Sequence, residues 1–194
     1  MDKVIKEAEE GKCHLFFCDA AHFILAPFIC KLWSLSRKFI KAAAGRNRIN
    51  VLGAVHAVTK EVITLINTTY IDAETVMTFL NQLREIYVDK PVRIVLDNAR
   101  YQHCKAVMER AESLEIELLF LPAYSPNLNI IERLWKFTKK KILYGQYYDC
   151  AQKFHEVIRS FFAEVSIKYS ADLKDLLSLK FQLFDVDNAQ NLAA

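Results

Sequence analysis

A chain of 194 residues, 53% hydrophobic and 25% charged, has the length of one domain and enough apolar content for one hydrophobic core. With four glycines and four prolines it is neither a collagen-like repeat nor a proline-rich linker, and its composition excludes a disordered chain. Basic residues exceed acidic ones by 26 to 23, a net charge of +3, which excludes a polycation but allows a local basic surface.

The five cysteines, Cys13, Cys18, Cys30, Cys104 and Cys150, form no CxxC pair. Residues 1–10 carry charges of both signs, unlike a signal peptide. The longest apolar run, 23–30, is too short to span a bilayer and contains Pro27. The chain reads as cytoplasmic, without membrane attachment, with reduced thiols packed as small hydrophobes.

In chain order, residues 2–10 suit a short helix with Val4, Ile5 and Ala8 on one side, stopped by Gly11. Residues 14–18 read as a buried strand ending at Asp19. Further strands are expected at 23–25, 51–58 and 61–66, the last two joined as a hairpin. The basic segment 38–48 suits a surface loop. Asp72 can cap a helix that buries Val76, Phe79, Leu80, Leu83 and Ile86. A strand at 92–96 runs into Asp97 and Asn98, followed by a helix over about 102–114 and a second buried strand at 116–121. Ser125 and Pro126 offer a cap and a first-turn proline for a helix burying Leu128, Ile131, Trp135 and Ile142. Asp149 with Gln152 resembles a capping box for a long helix bearing Phe154, Val157, Ile158, Phe161 and Val165. An amphipathic stretch, 173–184, precedes a polar tail. This order predicts an α/β fold, a mixed sheet flanked by helices.

Asp19 and Asp97 each follow a buried-strand pattern, and strand ends of α/β sheets are where rigid backbone presents exposed side chains. Glu132 falls in the second turn of the helix expected from Ser125, at the edge of its apolar stripe. Three carboxylates converging from two strands and a helix would make an oxygen-rich nest suited to Mg²⁺ or Mn²⁺. Two such ions stabilise both the attacking and the leaving oxygen of an in-line phosphoryl displacement. Taken singly, each acid is more simply read as a turn residue or a solvated charge.

Residues 94–103 (IVLDNARYQH) and 118–142 (LLFLPAYSPNLNIIERLWKFTKKKI) together resemble the second half of a DDE-superfamily transposase catalytic core, of the bacterial IS-six-thirty type related to Tc/mariner transposases. Residues 98–131 separate the second acid from the third, an interval of 34 typical of that superfamily. Residues 14–23 resemble the strand carrying the first acid, and 49–62 with the Asp72 helix resemble the intervening sheet and helix. The likeness covers about residues 12–145.

The resemblance implies a ribonuclease H-like fold, with Asp19, Asp97 and Glu132 as catalytic and metal-binding triad and two Mg²⁺ or Mn²⁺ ions as cofactors. It implies cleavage of one DNA strand to leave a 3′-hydroxyl, which then attacks target DNA, without a covalent protein–DNA intermediate. Asn98 matches the residue that commonly follows the second aspartate, a DNA contact or a support behind the metals. Tyr124, Ser125, Pro126, Asn127 and Asn129 match the loop and helix start that aim the glutamate. One departure is Ala20, where relatives often carry Glu after the first aspartate; that neighbour is not a triad member.

Within this frame Arg133, Lys136, Lys139 and Lys140, followed by Lys141, form a basic run for phosphate contact that positions DNA without reading sequence. Arg46 and Arg48, in the loop before the 51–58 strand, are further candidates. His103 has two readings, a structural helix-start residue or a contact to phosphate that also shuttles a proton. Trp135 is expected in the core rather than as a base-stacking platform, and His22 and His56 are expected to pack within strands.

The resulting expectation is a transposase catalytic domain for DNA transposition and integration. Expected partners are transposon-end and target DNA, a second copy in the active complex, and a separate or missing N-terminal helix-turn-helix part. Its alternatives are a degenerate copy that binds DNA without cutting and a nuclease that hydrolyses without strand transfer. The expected organisation is a short N-terminal helix or linker remnant (1–11), the catalytic core (12–145) and a C-terminal helical extension (146–194).

Overall fold

The computed structural model describes residues 1–25, 47–122 and 128–179. Along the chain run α1 (Asp2–Glu9), β1 (His14–Ile24), β2 (Arg48–His56), β3 (Val62–Asn67), α2 (Ala73–Ile86), β4 (Val92–Leu96), α3 (Lys105–Ser113), β5 (Ile116–Phe120), α4 (Ile131–Ile142), α5 (Ala151–Lys168) and α6 (Ser170–Leu176). The five strands form one sheet in the order β3-β2-β1-β4-β5. β2 pairs antiparallel with both β1 and β3; β4 pairs parallel with β1, and β5 parallel with β4. The sheet is therefore mixed, as the element order predicts.

Side-chain alternation divides the sheet between two cores. Odd-numbered residues of β1, among them Leu15, Phe17 and Phe23, face a core completed by Ile131, Leu134 and Trp135 of α4, by Phe154, Ile158 and Phe161 of α5, and by Leu173 of α6. Even-numbered Phe16 and Cys18 face the other core, filled by Val76, Phe79, Leu80 and Leu83 of α2 and by Val107 and Ala111 of α3. Asp72 caps α2 by accepting from the Thr75 amide at 2.9 Å. Arg93, the one charge in the apolar β4 run, reaches across to Glu7 of α1 and to Glu117 of β5 at 2.5 Å.

Several expectations need correction. The strands expected at 14–18 and 23–25 are one strand, so Asp19 lies within β1 and not at its end. The reason is its pairing: contact with β4 covers only residues 14–17, whereas antiparallel pairing with β2 carries β1 on through Ile24. β2 starts at Arg48, which pairs with Ile24 and so belongs to the sheet and not to a loop; β2 stops at His56, short of Val58. α3 begins at Lys105, after turns from Arg100. α4 begins at Ile131, so Glu132 lies in its first turn rather than its second. Ile86 ends α2 exposed. Asp149 caps nothing: Cys150 holds the cap position of α5, and Asp149 pairs with Lys153 at 2.8 Å. His22 is exposed, its Nδ1 2.8 Å from Asn50 Oδ1, whereas His56 is buried among rings. Cys150 is exposed and Cys104 half-buried; Cys13 and Cys18 are buried as expected. Arg46, Cys30, the loop 38–46, residues 123–127 and the tail from 180 lie outside the described residues.

Candidate active site

The register of β1 and β4 sets two acids side by side. Phe17 pairs with Val95, and Asp19 and Asp97 each follow two residues later. In a parallel pair, matched residues project to the same face. Phe17 and Val95 belong to the core beneath α4, and alternation puts Asp19 of β1 on that face, where Trp135 of α4 meets it. Asp97, just past β4, accepts from the Ala99 amide at 3.3 Å.

α4 is fastened to β1 at two points that bracket Glu132. Three residues before it, buried Asn129 donates from Nδ2 to the Cys18 carbonyl at 3.1 Å, and its Oδ1 accepts from the Ile131 amide at 3.4 Å. Three residues after it, Trp135 donates from Nε1 to Asp19 Oδ2 at 2.9 Å. The Trp135 ring is 3% exposed and crosses β2 at Gly53, the residue paired with Asp19. A Cβ on Gly53 would stand 2.7 Å from Trp135 Cη2, so only glycine lets the indole lie this close to the strand.

The electrostatics around Asp19 reflect its burial and its acidic neighbours. Burial raises the Asp19 pKa to about 7, and the negative charges of Asp97 and Glu132 push in the same direction against the Trp135 and Ala20 hydrogen bonds. Burial, then Asp19 and Asp97, push the buried Cys18 thiol well up. The Tyr101 phenol is raised by burial, then by Asp97 and Asp19. Among the described residues no Lys, Arg or His forms an ion pair with Asp19, Asp97 or Glu132. Among those residues, too, no three His, Cys, Asp or Glu side chains stand close enough together to hold a metal ion. The carboxylates interact without being drawn together.

Beside Asp97, Asn98 acts as a clasp. Its Nδ2 donates to the Leu121 carbonyl at 2.6 Å, tying the ends of β4 and β5, and its Oδ1 lies 2.6 Å from His103 Nε2. The exposed His103 ring stacks on Phe120, centroids 3.7 Å apart. With Nε2 donating to Asn98, His103 keeps Nδ1 as an acceptor.

The basic residues separate into two groups. Arg133 donates to the carbonyls of Leu176 and Ser178 at 3.2 and 2.8 Å, binding the end of α6. Arg48 donates to the Thr69 carbonyl at 3.1 Å and covers the Tyr70 ring. Lys141 lies over the Phe137 and Tyr169 rings. Lys136 and Lys140 are exposed and Lys139 is half-buried, one to two turns beyond Glu132.

Sequence reasoning assigned Trp135 to the core but missed its indole N–H, and it missed Gly53 and Tyr101 altogether. An isolated glycine inside an apolar strand is a known sign of close approach, and it was the available signal for Gly53.

The sequence signature of the DDE superfamily endonucleases matches residues 14–155, well over half of the chain. The chain belongs to that family. No curated protein matches it. Among solved structures, a pre-cleavage Mos1 transpososome superposes with a TM-score of 0.62 at 14% identity, over 95% of this chain and 61% of that one. The Mos1 paired-end complex with the left transposon end gives 0.61 at 15%, over 84% and 52%. The Mos1 catalytic domain with Raltegravir and Mg gives 0.57 at 14%, over 95% and 92%. The ribonuclease H-like fold is thus that of the Mos1 catalytic domain, and this DDE endonuclease chain spans about half the length of the Mos1 chain in the paired-end complex. Among the described residues no helix is long and apolar enough to cross a membrane.

Proposed function

We propose that this DDE endonuclease domain cuts DNA at transposon ends and joins the freed 3′-hydroxyl to target DNA, using Asp19, Asp97 and Glu132 as its catalytic triad. The observation that carries the reading is the bracketing of Glu132 by Asn129 and Trp135, both bonded to β1 at residues 18 and 19. On this reading, that arrangement holds Glu132 of α4 on the side of the sheet from which Asp19 acts.

The donor set suits a hard divalent cation. Asp19, Asp97 and Glu132 have no basic ion-pair partner among the described residues, and the negative charges of Asp97 and Glu132 add to the burial that raises the Asp19 pKa. Asp19, Asp97 and Glu132 would hold Mg²⁺ or Mn²⁺, and an ion pair is the form typical of in-line phosphoryl transfer. When bound, such ions polarise the scissile phosphate and lower the pKa of attacking water. Supporting the proposal, Mos1 mariner paired-end complexes have been solved with Mn and with Mg.

The chain's own residues supply positioning. Trp135 and Asn129 fix α4 against β1, and the Asn98 clasp fixes the backbone after Asp97. Lys136, Lys139 and Lys140 would lie along the DNA backbone as point charges. His103, held by Asn98 and Phe120, would offer Nδ1 near phosphate. Arg133 and Arg48, engaged with backbone carbonyls, have a structural task beside any contact with DNA. Pairing of two copies and end recognition by a helix-turn-helix part belong to the same proposal; Mos1 is known in a paired-end complex and in a strand transfer complex.

The test is incubation of the protein with a duplex carrying its transposon end, with and without Mg²⁺ or Mn²⁺. Metal-dependent nicking is expected, with loss of at least a thousandfold in Asp97→Asn. Undiminished nicking by that variant would contradict the triad.

A further inference from the structure

We propose that Trp135 is a positioning residue for Asp19: its indole N–H, seated over Gly53, fixes the carboxylate in the orientation that receives a divalent cation with Asp97 and Glu132. This inference rests on the triad reading given above.

The geometry goes beyond what a buried tryptophan needs. An indole N–H requires one acceptor, and a backbone carbonyl would satisfy it. Here the acceptor is a carboxylate 116 residues away in sequence, at 2.9 Å. A bond to an ionised acceptor is shorter and about twice as strong as a neutral one. The indole itself has little freedom. It meets Phe23 and Phe162 edge-on, with centroids 6.4 and 5.9 Å apart, and the bare backbone of Gly53 receives its six-membered ring. Ile131 Cδ1 lies 3.3 Å from the same missing Cβ, so the cradle is closed from the helix side as well.

The carboxylate retains coordination capacity. An ionised Asp offers about four lone-pair sites, of which the indole takes one on Oδ2. Trp135 also lies on the helix that carries Glu132, one turn further on. One rigid element therefore supplies the third acid and orients the first. Supports of this kind behind metal ligands change metal affinity by about 10- to 100-fold when removed.

The test uses the full chain with Trp33→Phe, which leaves Trp135 as its sole tryptophan. Mn²⁺ is titrated in while Trp135 fluorescence and the free-Mn²⁺ electron paramagnetic resonance signal are followed. Saturable quenching is expected at the Mn²⁺ concentration at which the free signal is depleted. Adding Trp135→Phe, which retains an aromatic ring and loses the donor, is expected to weaken Mn²⁺ binding at least about tenfold by resonance. Gly53→Ala, which keeps the indole but displaces it, is expected to weaken binding in the same direction and provides the reading if Trp135→Phe does not fold. Unchanged Mn²⁺ affinity in the folded variants, even with a lower melting temperature, would overturn the positioning role. Failure of the triad reading has a different signature: no Mn²⁺ binding by the parent, or binding unaffected by Asp97→Asn.

Discussion

The side-chain amide of Asn129 donates to the main-chain carbonyl of Cys18 at 3.1 Å, joining the start of α4 to the strand residue that precedes Asp19. Both groups are buried, and the same Asn129 side chain accepts from the Ile131 amide. A single amide thus satisfies a strand carbonyl and a helix N-terminal donor, and sets the height at which α4 meets the sheet.

Replacing Asn129 with Ala leaves both backbone groups without that partner. A loss of about 1–3 kcal/mol in urea unfolding is expected, with a further loss of Mn²⁺ affinity because Glu132 is no longer held at its height. Asn129→Asp keeps the acceptor for Ile131 but has no donor for Cys18. It is expected to fall at or below the Ala variant in stability, since a carboxylate would face a carbonyl oxygen.

Gly53→Val inserts a branched side chain where even a Cβ meets Trp135 at 2.7 Å. Overpacking of this kind costs about 1–3 kcal/mol, readable as a fall in the thermal midpoint. A midpoint equal to the parent's would mean that the indole moves freely.

His56 provides a pH dependence separate from the acidic site. Its Nδ1 accepts from the Val58 and Thr59 amides, each at 3.2 Å, so the ring proton sits on Nε2 and faces His14 Nδ1 at 3.1 Å. His14 Nε2 in turn meets Asp89 at 2.8 Å. Burial, and then the neighbouring His14, lower the His56 pKa from 6.5 to about 4. The folded state holds this ring neutral, while the unfolded chain takes up a proton near the ordinary value. The stability it contributes is present above pH 6.5 and is lost as the pH falls toward 4, on the order of 3 kcal/mol. Urea midpoints at pH 7.5 and 4.5 should therefore converge in His56→Gln relative to the parent. An equal acid loss in both proteins would remove His56 as its source.

The fold was legible where burial leaves a local pattern. The parallel strands Val92–Leu96 and Ile116–Phe120 correspond to apolar runs broken only by Arg93 and Glu117, although β5, at the sheet edge, is half-buried rather than buried. The extent of β1 was not legible, because Asp19 and the residues after it break the apolar run and only pairing with the distant β2 carries the strand onward. The Ser125-Pro126 signal suggested an early helix start, but α4 begins at Ile131, where Asn129 supplies an acceptor for the first amide. The three acids stand out by position in the sequence. Their supports do not: the partners of Trp135 and Asn129 lie more than a hundred residues away.

The two kinds of basic residue on α4 should separate in experiment. Lys136→Ala and Lys139→Ala are expected to leave the melting temperature unchanged and weaken DNA binding similarly across sequences. Each should lower the slope of log affinity against log salt by about one. Arg133→Ala is expected to cost about 1–3 kcal/mol of stability, since the Leu176 and Ser178 carbonyls lose a charged donor. A stable Arg133→Ala protein would show those contacts to be dispensable.

The most direct measurement is the anomalous scattering of Mn²⁺ soaked into crystals of the protein. Density is expected between the carboxylates of Asp19, Asp97 and Glu132, with oxygens about 2 Å away, and is expected to vanish in Asp97→Asn. Density elsewhere, or none at a Mn²⁺ concentration that supports DNA cleavage, would contradict the assignment of these three acids.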